Sequence, residues 1–202
     1  SVMIGQIDLK DRNAVVIGGG QQALEKGTRM EQEGAQVTYI AKQFTQEFTE
    51  GLETIHAAKT DHRVCVQKSY EKADIADAFL VYACTDDRIL NHQIVLDANA
   101  NRSLSASVHL DADAGFHAMK EEQFGRISVA VSTAGTYPAF WRVIMDDIRS
   151  RYEESYESRL ELLTPLREKI LTLPLEQEEK KMLLQELAYA SCEELESKKL
   201  LL

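Results

Sequence analysis

The chain has 202 residues, 44% of them hydrophobic and 28% charged, with 33 acidic against 23 basic side chains and a formal charge of −10. That is long enough to bury a core in one or two domains, and too acidic for a general nucleic-acid binder, which needs a basic surface. The three cysteines, Cys65, Cys84 and Cys192, form no CxxC pair and are too few for a disulfide framework, and no apolar run reaches the ~18 residues of a membrane span, so a cytoplasmic protein away from membranes is expected.

Ala14-Val15-Val16-Ile17 is a short apolar run ending in three glycines and reads as a buried parallel strand. Residues 21–33 then read as a helix, with Ala23, Leu24, Gly27 and Met30 on one stripe and Gly34 as its stop. Residues 36–41 are the second strand, which closes a βαβ unit of the usual length. A helix is expected at 45–54, a third strand at 64–66, a fourth at 79–84, a helix from 88 to 100, a fifth strand at 104–108 and a sixth at 127–131. From Pro138 onward apolar residues recur at helical spacing, with Pro165 and Pro174 expected to start or break helices. The expected architecture is α/β: a Rossmann-like parallel sheet over 1–112, a linking and dimerisation region over 113–150, and an α-helical C-terminal domain over 151–202.

Gly18-Gly19-Gly20-Gln21-Gln22-Ala23 fits G-x-G-x-x-[GA]. In this pattern Gly18 permits a tight turn, Gly20 lets the backbone approach a pyrophosphate, and Ala23 allows close helix–strand packing; the anion would sit on free amides at the helix N-terminus. The match follows a strand and opens a helix inside a βαβ unit, which is the context that gives it weight. NAD is the expected cofactor. The end of the second strand reads Ile40-Ala41-Lys42 and lacks the usual acid for the ribose hydroxyls, so Ala41 and Lys42 flank the cofactor and Lys42 is open to two readings, a contact for a 2′-phosphate or a solvated lysine. Cys84 and Thr85 end the fourth strand, where a ligand in such a sheet is bound; Asp86 is favoured as the N-cap of the next helix. Ser132-Thr133-Ala134-Gly135 follows the sixth strand, and its hydroxyls and amides suit either an anionic substrate group or a helix-initiating loop.

Together these segments resemble one family. Asp8-Leu9-Lys10-Asp11-Arg12 before Val15-Val16-Ile17-Gly18-Gly19-Gly20, Ala83-Cys84-Thr85-Asp86-Asp87 with Leu90-Asn91, and Ser132-Thr133-Ala134-Gly135 with Pro138-Ala139 are similar, in order and spacing, to motifs of precorrin-2 dehydrogenases, which include the N-terminal module of siroheme synthase. The resemblance covers about residues 4 to 150. It implies NAD-dependent oxidation of precorrin-2 to sirohydrochlorin in siroheme biosynthesis by a homodimer, with Ser132, Thr133 and Gly135 on the tetrapyrrole side. Some members also insert Fe²⁺.

One position departs from the family. Where its members carry a proposed acid–base aspartate, this chain has His109, in Ala106-Ser107-Val108-His109-Leu110-Asp111. Either His109 takes the proton-transfer role, or Asp111 does after a small register shift, or activity is reduced. The changed residues motivate two alternatives: a sirohydrochlorin ferrochelatase or metal- and tetrapyrrole-binding protein, and a non-enzymatic NAD(P)-binding regulatory subunit. No strict ligand spacing points to a stable metal site. Residues 101–150 carry 5 bases and 6 acids and are nearly neutral, so Arg102, Lys120, Arg126 and Arg142 are expected to form a basic rim for a polycarboxylate substrate.

Overall fold

The computed structural model describes residues 3–49, 57–59, 63–133, 136–152 and 155–201. The chain divides into two compact units, Ser1–Ala118 and Met119–Leu202.

The first unit is a parallel sheet with helices. Its strands are β1 (Asn13–Ile17), β2 (Gln36–Ala41), β3 (Ala57–Lys59), β4 (Arg63–Gln67), β5 (Leu80–Ala83) and β6 (Leu104–Ser107). Their order is β3-β4-β2-β1-β5-β6, with β4, β2, β1, β5 and β6 parallel and β3 antiparallel on β4. The helices are α1 (Gln21–Gln32), the short α2 (Gln46–Thr49) and α3 (Arg88–Ala100). Both sheet faces are covered, which is why β1 reads as a continuous apolar run rather than an alternation. Ala14 and Val16 pack with Ala23 and Met30 of α1 on one face; Val15 and Ile17 pack with Ile94 and Ala98 of α3 on the other. Gly34, at φ +85°, takes the left-handed turn that stops α1.

Residues 113–118 belong to this unit, beyond the expected edge at 112. The Phe116 amide donates to the Ser105 carbonyl, the Gly115 amide to Ser105 Oγ, and the Phe116 ring packs on the sheet core.

In the second unit, β7 (Lys120–Phe124) and β8 (Ile127–Val131) form an antiparallel hairpin. The strand expected at 127–131, within the linking region, is present and pairs with β7, a mostly polar segment that showed no strand pattern. After a 3₁₀ turn at Pro138–Phe140 come α4 (Trp141–Arg151), α5 (Ser155–Thr172), α6 (Gln177–Ala188) and α7 (Cys192–Leu201). Leu166, Ile170, Leu187 and Leu195 bury one another at the centre of the last three helices. Pro165 lies inside α5 and does not break it, while Pro174 falls in the turn to α6. Residues 50–54 of the expected 45–54 helix lie outside the described residues. No described helix is long and apolar enough to cross a membrane.

Candidate active site

The carboxyl ends of β1, β5 and β6 carry the residues that matter. β1 lies between β2 and β5, so chain connections leave it in opposite directions and open a crevice at its end, where such sheets bind ligands.

Gly18 has φ +145°, and a Cβ there would lie 2.3 Å from the Cys84 carbonyl oxygen. A Cβ on Gly19 would lie 2.0 Å from the Gln43 carbonyl oxygen and 2.9 Å from the Ala41 methyl. A Cβ on Gly20 would meet nothing within 4 Å, and no side chain caps α1, whose N-cap is Gly20. The three glycines thus do different work. Gly18 and Gly19 let β1 close against β5 and the segment after β2. Gly20 leaves open space in front of the first amides of α1, the place for a pyrophosphate. Gln21 is exposed at that end and Ala23 is fully buried against the sheet. Ala41 is half-buried beside the glycine turn. The Lys42 side chain is exposed, its carbonyl accepting from Gln67 Nε2 at 3.0 Å. These residues fit a dinucleotide.

The Cys84 side chain packs in the core, and burial pushes its thiol up to about 12; its carbonyl faces the turn. The N-cap of α3 is Asp87, which accepts from the Ile89 and Leu90 amides at 2.9 and 3.1 Å, so the expectation for Asp86 is corrected by one residue. The reason is that Thr85 completes a turn of its own. Its hydroxyl accepts from the Asp87 amide at 3.2 Å and donates to Asn91 Oδ1 at 2.7 Å, so the hydroxyl is committed within the protein.

A shallow cleft of about 280 Å³ lies at the end of β6, lined among others by Arg88, His92, Ser107, His109, Asp111 and Asp113. His109 and Asp111, the two candidates for proton transfer, meet there. His109 Nδ1 lies 2.8 Å from Asn91 Nδ2. Asp111 Oδ2 lies 2.9 Å from His92 Nδ1, and Asp111 Oδ1 accepts from the Asp113 amide at 2.9 Å. Burial pushes the Asp111 carboxyl up, but the His92 bond, the Asp113 amide and the imidazoles of His92 and His117 outweigh it and hold the carboxyl below its ordinary range. Ligand atoms of His92, Asp111 and Asp113 fall within 4.8 Å of one another, but the carboxylate is already engaged by His92 and the Asp113 amide.

Sequence reasoning missed Arg88, Asn91 and His92. All three stand on α3, and no periodicity marks them; only the return of α3 beside β6 brings Arg88 and His92 to the cleft and Asn91 against His109. In the second unit Ser132 is exposed and Thr133 half-buried, with the Thr133 carbonyl accepting from Thr136 Oγ1; Gly135 lies outside the described residues. The four bases expected to form a basic rim are divided between the two units. Arg102 precedes β6, at the amino end of the strands, and Arg126 is paired with Glu157 and Glu161. Lys120 and Arg142 both lie over the Trp141 ring.

The fold and the glycine turn define a dinucleotide-binding Rossmann-type protein, and a family model described as "Putative NAD(P)-binding" matches residues 6–117. Precorrin-2 dehydrogenase of Priestia megaterium is 30% identical over 181 residues, which cover 90% of this chain and 86% of that one. A solved structure of SirC, precorrin-2 dehydrogenase, superposes with a TM-score of 0.73 at 26% identity, covering 92% of this chain and 89% of that one. Siroheme synthase of Photorhabdus laumondii is 26% identical over 164 residues, and the chain spans about a third of its length (34%). The chain belongs to the precorrin-2 dehydrogenase family.

Proposed function

We propose that this protein oxidises precorrin-2 to sirohydrochlorin, with NAD⁺ as the acceptor, in siroheme biosynthesis. One observation carries the reading: the open glycine turn at the end of β1 and the cleft holding His109 and Asp111 at the end of β6 share the carboxyl edge of one parallel sheet, with only β5 between them.

Gly18, Gly19, Gly20 and the first amides of α1 hold the dinucleotide, with Gln21, Ala23, Ala41 and Lys42 around it and Cys84 and Thr85 closing its β5 side. The bound cofactor supplies a two-electron acceptor. The protein orients the tetrapyrrole and takes up the proton that leaves it, two tasks that fall to His109 and Asp111 in the cleft. Ser132, Thr133 and Gly135 belong to the tetrapyrrole side, as the family motif implies. The protein is cytoplasmic and acts as a homodimer; the exposed apolar side chains of Tyr137, Phe140 and Val143 in the second unit support association.

The test is incubation of the purified full chain with precorrin-2 and NAD⁺, read by the absorbance of sirohydrochlorin and NADH. Formation of both in equal amounts is expected. Absence of sirohydrochlorin overturns the reading. A parallel arm with NADP⁺ tests the missing acid after β2, and one with Co²⁺ tests metal insertion.

A further inference from the structure

Asn91 is 1% exposed, and its amide is fully engaged. Oδ1 accepts from the Thr85 amide at 3.1 Å and from Thr85 Oγ1 at 2.7 Å. Nδ2 donates to the Thr85 carbonyl at 2.8 Å and reaches His109 Nδ1 at 2.8 Å. A backbone N–H can only donate and a carbonyl can only accept, so Thr85 fixes which end of the Asn91 amide is oxygen and which is nitrogen. The nitrogen offers only hydrogens. His109 Nδ1 must therefore be the acceptor, and the ring proton sits on Nε2. Nε2 finds no partner among the described residues, and the ring lines the cleft with Arg88 and Asp111.

An imidazole in this form offers the cleft a hydrogen-bond donor. It has no lone pair at Nε2 with which to take a proton. We propose that Asn91 is a positioning residue that locks His109 as an Nε2–H donor, that His109 binds a carboxylate of the tetrapyrrole, and that Asp111 is the proton acceptor. The carboxylate and acceptor roles rest on the precorrin-2 reading; the proton's place on His109 does not. Oxidation breaks two bonds to hydrogen: a hydride leaves with its electron pair to NAD⁺, giving NADH, and the proton goes to the Asp111 carboxylate and then to solvent.

Long-range ¹H–¹⁵N correlation on the full chain labelled in histidine reads the tautomer directly. A pyrrole-type Nε2 and a pyridine-type Nδ1 are expected for His109, assigned by loss of its signals in His109→Gln. The reverse pattern overturns the proposal. Asn91→Asp presents a carboxylate to Nδ1 and should reverse the tautomer; if that variant does not fold, the wild-type spectrum still decides.

The role is tested by His109→Gln and His109→Leu. Glutamine donates a hydrogen bond but cannot take a proton. His109→Gln should lower kcat/KM less than His109→Leu does, because it keeps a donor in the cleft. His109→Leu should raise KM about 10- to 100-fold, the loss of one hydrogen bond to a charged group. A fall in kcat of about 10²-fold or more in both variants marks His109 as the base and overturns the proposal. Binding of sirohydrochlorin, measured by fluorescence, gives the same comparison without turnover: it should be weakened in the leucine variant and kept in the glutamine variant. A wild-type protein that forms no sirohydrochlorin counts against the proposed function, while the tautomer and the binding pair still judge this assignment. Equal binding by both variants overturns it.

Discussion

Asp111 Oδ2 and His92 Nδ1 stand 2.9 Å apart and tie the segment after β6 to α3. The pair fixes the carboxylate at the edge of the cleft, and the Asp113 amide on the other oxygen completes its orientation. Loss of this carboxylate has two separable consequences. From the proposed role of Asp111 as proton acceptor, Asp111→Asn should lower kcat by about 10²-fold or more. As a carboxyl held below its ordinary range in the folded state, it stabilises the fold above the unfolded value near pH 3.9 and loses that contribution as pH falls through its lower folded value. Urea melts should show Asp111→Asn less stable than wild type at pH 7, by up to about 1 kcal/mol because His92 is half-exposed, with the gap closing below about pH 4.

Gly19 and Gly20 are adjacent but should respond differently to alanine. A Cβ on Gly19 collides with the Gln43 backbone, so Gly19→Ala should cost about 1–3 kcal/mol and lower the melting temperature. A Cβ on Gly20 meets nothing in the protein, so Gly20→Ala should melt close to wild type while NAD⁺ titration shows binding weakened at least tenfold. Unchanged NAD⁺ affinity in Gly20→Ala would place the pyrophosphate elsewhere.

Arg88 lines the cleft and has no ion-pair partner among the described residues. It is the local positive charge that an acidic chain can offer a polycarboxylate. Arg88→Ala should raise the KM for precorrin-2 about tenfold with little change in kcat, and wild-type KM should rise with ionic strength more steeply than the variant's. Steady-state kinetics at low and high salt decides this.

Far from the site, Arg63 on β4 grips Glu31 of α1 through two bonds of 2.6 and 2.7 Å, and Tyr39 Oη donates to the same carboxylate at 3.0 Å. Burial first, then Glu31, pushes the Tyr39 hydroxyl well above its ordinary value, so it stays a donor at all working pH. Both charged partners are mostly covered, at 20% and 14% exposed. Arg63→Met should destabilise the fold by about 2–3 kcal/mol by leaving a covered carboxylate unpaired, and the Arg63→Met/Glu31→Leu double variant should recover much of that loss in chemical denaturation.

The regular elements of the first unit were legible because local signals agree with the tertiary outcome. β1 ends in glycine, α1 ends at Gly34, and α3 follows an acid-rich turn, so propensity, pattern and caps point one way. β8 was legible as a strand but its partner was not, since Lys120–Phe124 has a single apolar residue and carries no period to read. Pro165 misled because only an intact α5, buried through Leu166 and Ile170, shows that the helix tolerates it.

The sequence by itself determined the parallel sheet, the dinucleotide turn and the family, because each depends on residues adjacent in the chain and on spacings a strand or helix imposes. It also exposed the substitution at His109. Only the tertiary structure decided what that substitution means. Asn91 and His109 are 18 positions apart, and His92 and Asp111 are 19 apart; they meet only because α3 runs back beside β6. Hydrogen-bond direction is a property of atoms in space, so the meeting of His109 Nδ1 with the Asn91 amide was decided by packing and by no local signal in the chain.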